Sequence, residues 1–281
     1  MTVPYLDASA VRRRLSPLGA VDALEEALRG GLDPEADPPR ALVDVPGGTL
    51  LVMPSAAAAD PVVKLVTIGG DPRIQGVCVA FDGASLAPAA ILDGVAVTNL
   101  RTAAVSALAV RHLASAGARR LVVFGRGPQA HAHVEALRAV RPIEEVDMLG
   151  RADPRRDELV AAADVVCCCT TAREPLFDSA LVADHATVVA IGSHEPDARE
   201  VDNALAARAT VVVESTSSAL REAGDVVQAI GSGALDPRDL LPLAELVRGA
   251  RSADPARPRL FKSTGMSWED AVVVSALLRA A

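Results

Sequence analysis

From Arg119 to Val213 short apolar runs alternate with helix-like segments: "RLVVF" (120–124), "EVDML" (145–149), "DVVCCCT" (164–170), "TVVAIG" (187–192) and "TVVVES" (210–215). The runs are almost continuously apolar, which is the pattern of strands covered on both faces. Strand and helix signals in strict alternation predict an α/β unit with a parallel sheet wrapped by helices.

The first hundred residues read differently. An opening helix near "DALEEALRG" is followed by short strands, "TLLVMP", "VVKLVTI", "GVCVAFD" and "PAAILDG", separated by Gly, Pro and Asp. A small-residue helix, "LRTAAVSALAVRHLASAG", then leads into the parallel array. Beyond residue 216 come "SALREAGDVVQAI", a loop with Pro237 and Pro242, and a last helix "SWEDAVVVSALLRAA". The expected layout is a parallel-sheet domain over 105–239, inserted into a mixed α+β domain built from 1–104 and 240–281. No repeat or low-complexity tract suggests a solenoid.

Composition narrows the partners. The 281 residues are 50% hydrophobic and carry 28 basic against 36 acidic side chains, a net charge of −8. Nucleic acid is not expected, since its recognition needs a basic stripe. The opening "MTVPYLDASAVRRRL" lacks the apolar core of a signal peptide, and no run nears the ~18 apolar residues of a membrane span. A cytoplasmic protein acting on small molecules is expected. Cys78 and the consecutive Cys167, Cys168 and Cys169 lack a C-x-x-C pattern, and strand neighbours face opposite ways. They read as small buried hydrophobes in a reduced compartment, and no metal site is expected.

Chemistry enters at residues 125–130. Gly125, Arg126, Gly127, Pro128, Gln129 and Ala130 fit G-x-G-x-x-A, with "RLVVF" before and the helix-like "QAHAHVEALRAV" after. The first glycine permits the tight turn, the second lets backbone approach a pyrophosphate, and the helix N-terminus offers free N–H groups. The parallel array therefore reads as a Rossmann-type dinucleotide-binding domain. An NAD site usually places Asp or Glu at the end of the second strand to bind the ribose. Here "EVDMLGR" ends in Gly150 and Arg151, with Asp153, Arg155 and Arg156 following. A guanidinium there suits a 2′-phosphate, so NADP(H) is preferred and NAD(H) remains possible. Thr170 and Thr171, ending the third run, are further cofactor candidates.

Only Lys64 and Lys262 are lysines among the 28 basic residues. Each has apolar neighbours that would desolvate an ammonium and open its pKa to tuning. For Lys64, in an expected strand, a substrate-contacting role outweighs snorkelling.

The stretches "RALVDVPGGTLLVMPS", "VVKLVTI", "AAILDGVAVTNLRTAAVSALAVRHLA", "VVFGRGPQAHAHVEAL", "IGSHEPDAREVD" and "FKSTGMSWEDAV" resemble, in order and over nearly the whole chain, the ornithine cyclodeaminase/mu-crystallin family. The resemblance implies a homodimer in which the mixed domain makes the dimer contact and part of the substrate pocket. It implies hydride transfer at the α-carbon of an amino or imino acid. Arg40, Lys64 and Arg101 match positions that hold the substrate carboxylate, Met53 matches a pocket wall, and Thr264 and Gly265 match positions near the nicotinamide.

One departure bears on the activity. Cyclodeaminases carry Asp where this chain has His194, after the glycine of "AIGSHEPD". Neutral imidazole does not supply that anion, though it can donate or relay a proton near neutral pH. Asp197 lies three residues on and does not match the position. His131 and His133 are two apart on a helix and so on different faces, and a packing role is expected for His133. The reading is an NAD(P)H-dependent reductase of an α-imino acid, or the reverse dehydrogenase, with Lys64 and His194 as catalytic candidates. The alternatives are an ammonia lyase of the cyclodeaminase type and a weakly catalytic NADPH-dependent binding protein.

Overall fold

The structure, a computed structural model, describes residues 2–150 and 152–280. In chain order it contains β1 (Tyr5–Leu6), α1 (Ala8–Arg14), α2 (Pro17–Arg29), β2 (Ala41–Val45), β3 (Gly48–Ser55), β4 (Val62–Gly69), β5 (Ile74–Phe81), β6 (Pro88–Asp93) and α3 (Gly94–Leu113). Then follow β7 (Arg120–Phe124), α4 (Pro128–Val140), β8 (Glu145–Leu149), α5 (Arg156–Ala162), β9 (Val165–Cys168), β10 (Thr187–Ala190), α6 (Asn203–Arg208) and β11 (Thr210–Val213). The chain closes with α7 (Thr216–Glu222), α8 (Gly224–Gly231), β12 (Leu241–Pro242), α9 (Leu243–Val247), β13 (Arg259–Lys262) and α10 (Ser267–Arg279). Two units result, Met1–Val105 with Met266–Ala281, and Ser106–Gly265. No helix among the described residues is long and apolar enough to cross a membrane.

The first unit holds a mixed sheet in the order β1-β6-β5-β4-β3-β2, in which β1 runs parallel to β6 and the remaining pairs are antiparallel. α10 packs on α2 and across β3 and β4. Its side chains from Ser267 to Ser275 are all buried, as expected of a helix that is apolar nearly all round. α2 starts where Ser16 Oγ accepts the Gly19 N–H at 3.1 Å and Pro17 occupies the first turn. β2, at the sheet edge, is exposed along its whole length.

The second unit is a seven-stranded parallel sheet, β12-β11-β13-β10-β9-β7-β8. The five apolar runs supply β7 to β11; β7, β9, β10 and β11 are buried along most of their length, while edge strand β8 buries only Leu149. Two strands extend it: β13, "RLFK", pairs between β10 and β11, and β12 pairs outside β11. Here the structure departs from the expected boundary at 240. The later boundary, 265/266, follows because these two strands complete the parallel sheet instead of returning to the mixed one. Strand order reverses at β7, with β8 on one side and β9 on the other, and such a switch point opens a crevice at the carboxyl ends.

Two helices also differ from expectation. The helix read over 100–117 spans Gly94–Leu113, started by Asp93 Oδ1 accepting from Ala96 N at 2.8 Å. "SALREAGDVVQAI" breaks into α7 and α8 at Gly224. A Cβ there would come within 1.9 Å of the Ala198 carbonyl oxygen, so the break buys close backbone approach.

Candidate functional site

In the first unit Met53, Lys64 and Cys78 are successive partners across β3, β4 and β5, so their side chains share one sheet face. α10 lies against β3 and β4 and brings Asp270 onto this row. Lys64 Nζ is 2.7 Å from Asp270 Oδ2, and Arg101 of α3 donates from Nε to Asp270 Oδ1 at 3.1 Å and from Nη1 to Glu269 Oε2 at 2.7 Å. All four charged side chains are buried. Burial, and next the neighbouring Arg101 charge, lower the Lys64 pKa, while Asp270 works in the opposite direction. Asp37 accepts from Ser55 Oγ at 2.9 Å, and burial raises its pKa despite that bond. Arg40, half-buried, directly precedes β2.

In the second unit the glycine turn follows β7 at the switch point. Gly125 has φ +115°, and a Cβ on it would come within 2.5 Å of the Cys169 carbonyl oxygen. Its conformation and its close approach both require glycine. Gly127 caps α4 with ordinary dihedrals and makes no side-chain capping bond; Pro128 occupies the first turn. A Cβ on Gly127 would meet open space. A pyrophosphate therefore fits at this helix start, with unshielded N–H groups at the positive end of the helix dipole. Gln129 is half-buried and Ala130 is buried in the helix that follows. A cleft of about 250 Å³ opens beside the turn, lined among others by Gly125, Arg126, Gly150, Thr170 and Thr171.

Several arginines lie at and after the end of β8. Arg151 lies outside the described residues. Arg155 is committed to Asp153 and Asp147, each at 3.2 Å, and Arg156 to Asp157 at 2.8 Å. Arg126 instead lies over the strand end. Its Nη2 donates to the Met148 carbonyl at 3.3 Å, and its guanidinium carbon sits 4.0 Å from where a Gly150 Cβ would be. Gly150 thus leaves room for a guanidinium at the place where a dinucleotide's adenosine ribose sits in this fold.

At the carboxyl ends of β9, β10 and β13 a buried network appears that sequence reading did not find. Glu200 accepts from Thr170 N at 2.8 Å, Thr170 Oγ1 at 2.7 Å and Gly192 N at 2.7 Å. Burial pushes its carboxyl up to about 7, although Lys262 and the Thr170 bond oppose this. Lys262 pairs with Asp225 Oδ2 at 2.8 Å and donates to the Ser193 carbonyl at 2.7 Å, while Asp225 Oδ1 accepts from Glu200 N and Val201 N. Lys262 is therefore a structural cation that ties β13 to the 193–201 segment. His194, half-buried, belongs to that segment. Asp197 is turned outward to Arg173 and does not take the place of the family carboxylate. Thr264 N and Gly265 N each donate to Glu214 Oε2 at 3.0 Å, and Gly265 has φ +75°.

The cysteines split into two kinds. Cys168 points into the main core and Cys78 lies on the Lys64 row, both as small buried side chains. Cys167 and Cys169 face the same side, their Sγ atoms 3.5 Å apart, and converge with His133. The expectation that the triplet could not converge holds for adjacent cysteines and fails for the pair two apart, whose side chains share a face.

Sequence reading missed Asp270, Glu269, Glu200, Asp225 and Glu214 because each acts across a long chain separation. The "SWED" acids carried only the signal of charge inside an otherwise apolar helix.

The sequence model of the ornithine cyclodeaminase/mu-crystallin family matches residues 5–158 and 151–279. The chain is 34% identical over 251 residues to ketimine reductase mu-crystallin of Rattus norvegicus, covering 80% of this chain and 78% of that protein. It is 32% identical over 296 residues to the Delta(1)-pyrroline-2-carboxylate/Delta(1)-piperideine-2-carboxylate reductase of Azospirillum brasilense, covering 95% and 93%. The crystal structure of a probable ornithine cyclodeaminase from Bordetella pertussis superposes with a TM-score of 0.91 at 27% identity, covering 99% of this chain and 97% of that one. Matched over both units, in sequence and in fold, this chain belongs to the ornithine cyclodeaminase/mu-crystallin family.

Proposed function

We propose that this chain is an NAD(P)H-dependent oxidoreductase that reduces an α-imino acid to the amino acid, or runs the reverse reaction. The observation that carries this reading is the buried Lys64 held at 2.7 Å by Asp270 beside Arg101. Two cations and their carboxylate partners, shielded from water, form a preorganised receptor for a substrate carboxylate next to a polarised C=N bond. Arg40 and Met53 complete the substrate set. The reductase names borne by the rat and Azospirillum relatives support the same class of substrate.

The nicotinamide, when bound, supplies or accepts the hydride. The chain's own residues do the rest. Lys64 Nζ has three donors, of which Asp270 engages one, and its lowered pKa eases proton release toward a substrate nitrogen. His194 can relay that proton near neutral pH. Gly125 to Ala130 with Thr170 and Thr171 would hold the dinucleotide, and Thr264 and Gly265 would meet its nicotinamide half. Arg126 favours NADPH over NADH by offering a guanidinium to a 2′-phosphate. A homodimer is part of the proposal, and edge strand β2 with exposed Leu42 (65%) and Val43 (45%) supports it.

The test is NAD(P)H oxidation against a panel of cyclic ketimines, and of 2-oxo acids with amines, alongside Lys64→Ala and Arg101→Lys and with light scattering for the oligomer. Turnover that prefers NADPH and disappears in folded variants is expected. Ammonia release from ornithine with catalytic NAD, without net cofactor oxidation, would overturn the reductase reading in favour of a lyase.

A further inference from the structure

His133, Cys167 and Cys169 stand apart from the residues assigned above, and all three lie within the second unit. Their donor atoms all fall within 4.8 Å of one another. Cys167 precedes Cys169 by two positions at the end of β9, which puts both sulfurs on one face at 3.5 Å. Two thiolates on a tetrahedral zinc ion lie ~3.7 Å apart, given zinc–sulfur bonds of about 2.3 Å. The sulfurs are thus already close to ligating separation.

His133 is prepared for the same task. Its Nδ1 is 2.7 Å from the Gln129 carbonyl oxygen, which can only accept, so Nδ1 carries the proton and donates. In the neutral ring Nε2 then carries the lone pair, and it lies 2.9 Å from the Ser106 hydroxyl. A histidine oriented by a backbone carbonyl through its far nitrogen is the usual arrangement behind a metal-ligating imidazole. His133 and Cys167 are fully buried, and Cys169 is partly exposed immediately before Thr170, a residue of the cleft wall.

We propose that His133 Nε2, Cys167 Sγ and Cys169 Sγ form a binding site for one zinc ion between the end of β9 and α4. Soft sulfur with imidazole selects Zn(II) or Cu(I). Zn(II) with two thiolates and neutral imidazole carries no net charge, whereas Cu(I) would leave a buried negative charge. Binding leaves both sulfurs as thiolates and the imidazole neutral, so whatever protons Cys167, Cys169 and His133 carry beforehand are released to solvent, with no change in oxidation state. The Ser106 hydroxyl would give up Nε2 to the ion. The ion would brace the nucleotide turn from behind, because the Cys169 carbonyl backs Gly125 and His133 rides on α4.

The experiment uses the full chain, reduced, stripped with a chelator and titrated anaerobically with Zn(II) against a chromophoric competitor. Co(II) serves as a spectroscopic probe. One equivalent of Zn(II) is expected, together with a thiolate-to-cobalt charge-transfer band and a rise in Tm on loading. Cys167→Ser and Cys169→Ser should each weaken Zn(II) binding by ~100-fold or more, while His133→Asn weakens it at least ~10-fold. Cys168→Ala, on the opposite face, should retain the site, and circular dichroism checks that each variant is folded. The proposal falls if the charge-transfer band is absent or if Zn(II) uptake survives in the folded Cys167→Ser/Cys169→Ser variant. It also falls if only Cu(I) loads, or if the two cysteines are recovered as a disulfide whose reduction restores no zinc uptake.

Discussion

Arg101 Nε and Asp270 Oδ1 meet at 3.1 Å across 169 positions of chain, and Lys64 reaches the other oxygen of the same carboxylate at 2.7 Å. One buried carboxylate therefore sets the positions of both cations assigned to the substrate. Removing it leaves two charges without their shared partner, and breaking a buried pair from one side costs about 3–5 kcal/mol. Asp270→Asn is expected to lose stability on that scale in urea denaturation. In the protein that remains folded, kcat/KM for an imino acid falls while dinucleotide affinity holds. An unchanged kcat/KM would show that Asp270 does not position Lys64 and Arg101 for chemistry.

The turn glycines separate folding from binding. Gly125→Ala puts a side chain at φ +115° and against the Cys169 carbonyl, so stability and nucleotide binding should both fall. Gly127→Val faces open space at an ordinary φ of −82°, so its Tm should stay within a few degrees of the parent. Its dinucleotide affinity should nevertheless drop, by ~10-fold or more, because the branched side chain occupies the pyrophosphate's approach. Equal affinity in Gly127→Val and parent, measured by fluorescence titration, would remove the pyrophosphate from this turn.

Arg126 makes a similar prediction for cofactor choice. A charge-assisted contact of about 1.5–3 kcal/mol corresponds to a ~10–100-fold loss of NADPH affinity in Arg126→Ala. NADH affinity should change little. Equal losses for both dinucleotides would place Arg126 on the shared pyrophosphate and leave the 2′-phosphate preference unsupported.

Glu200 predicts a pH dependence with a definite sign. Burial pushes its carboxyl up to about 7, above the ordinary 4.5, so between those values the native state holds a proton that the unfolded state has lost. The contribution is fully present below about pH 4.5 and is lost as pH rises through 7, an effect on the order of 3 kcal/mol. Urea titrations from pH 4.5 to 8 should show parent stability falling relative to Glu200→Gln across that window. The variant is less stable overall, because its amide NH₂ must face a backbone N–H, from Thr170 or from Gly192, in either orientation. Parallel profiles for parent and variant would mean that Glu200 is ionised throughout.

Local pattern carried much of the architecture. Five short apolar-rich runs became five parallel strands, and four of them, β7, β9, β10 and β11, are buried along most of their length as strands covered on both sides should be, whereas β8 at the sheet edge keeps Glu145 and Asp147. Gly125 and Gly127 were legible as a tight strand-to-helix turn because a positive φ at the first and an open approach at the second are demands on single residues. Lys64 stood out through rarity and apolar neighbours, and it is buried at the centre of an ion-pair cluster.

What only the tertiary structure decided depends on partners far apart in sequence. "RLFK" is a short apolar segment by itself, and its insertion between β10 and β11 moved the unit boundary to 265/266. Lys64 and Lys262 look alike as isolated lysines. Both are buried against a carboxylate, Lys64 beside Arg101 on the Asp270 carboxylate, whereas Lys262 also donates to the Ser193 carbonyl and so ties β13 to the 193–201 segment. The phosphate clamp was expected at Arg151, which lies outside the described residues; its neighbour Arg155 is held by Asp153 and Asp147, while Arg126 from the preceding turn lies over the strand end. Sequence alone determined which residues could carry charge, turn or strand. Folding determined which charges are neutralised, since a Coulomb partner a few ångströms away outweighs any preference encoded by neighbours along the chain.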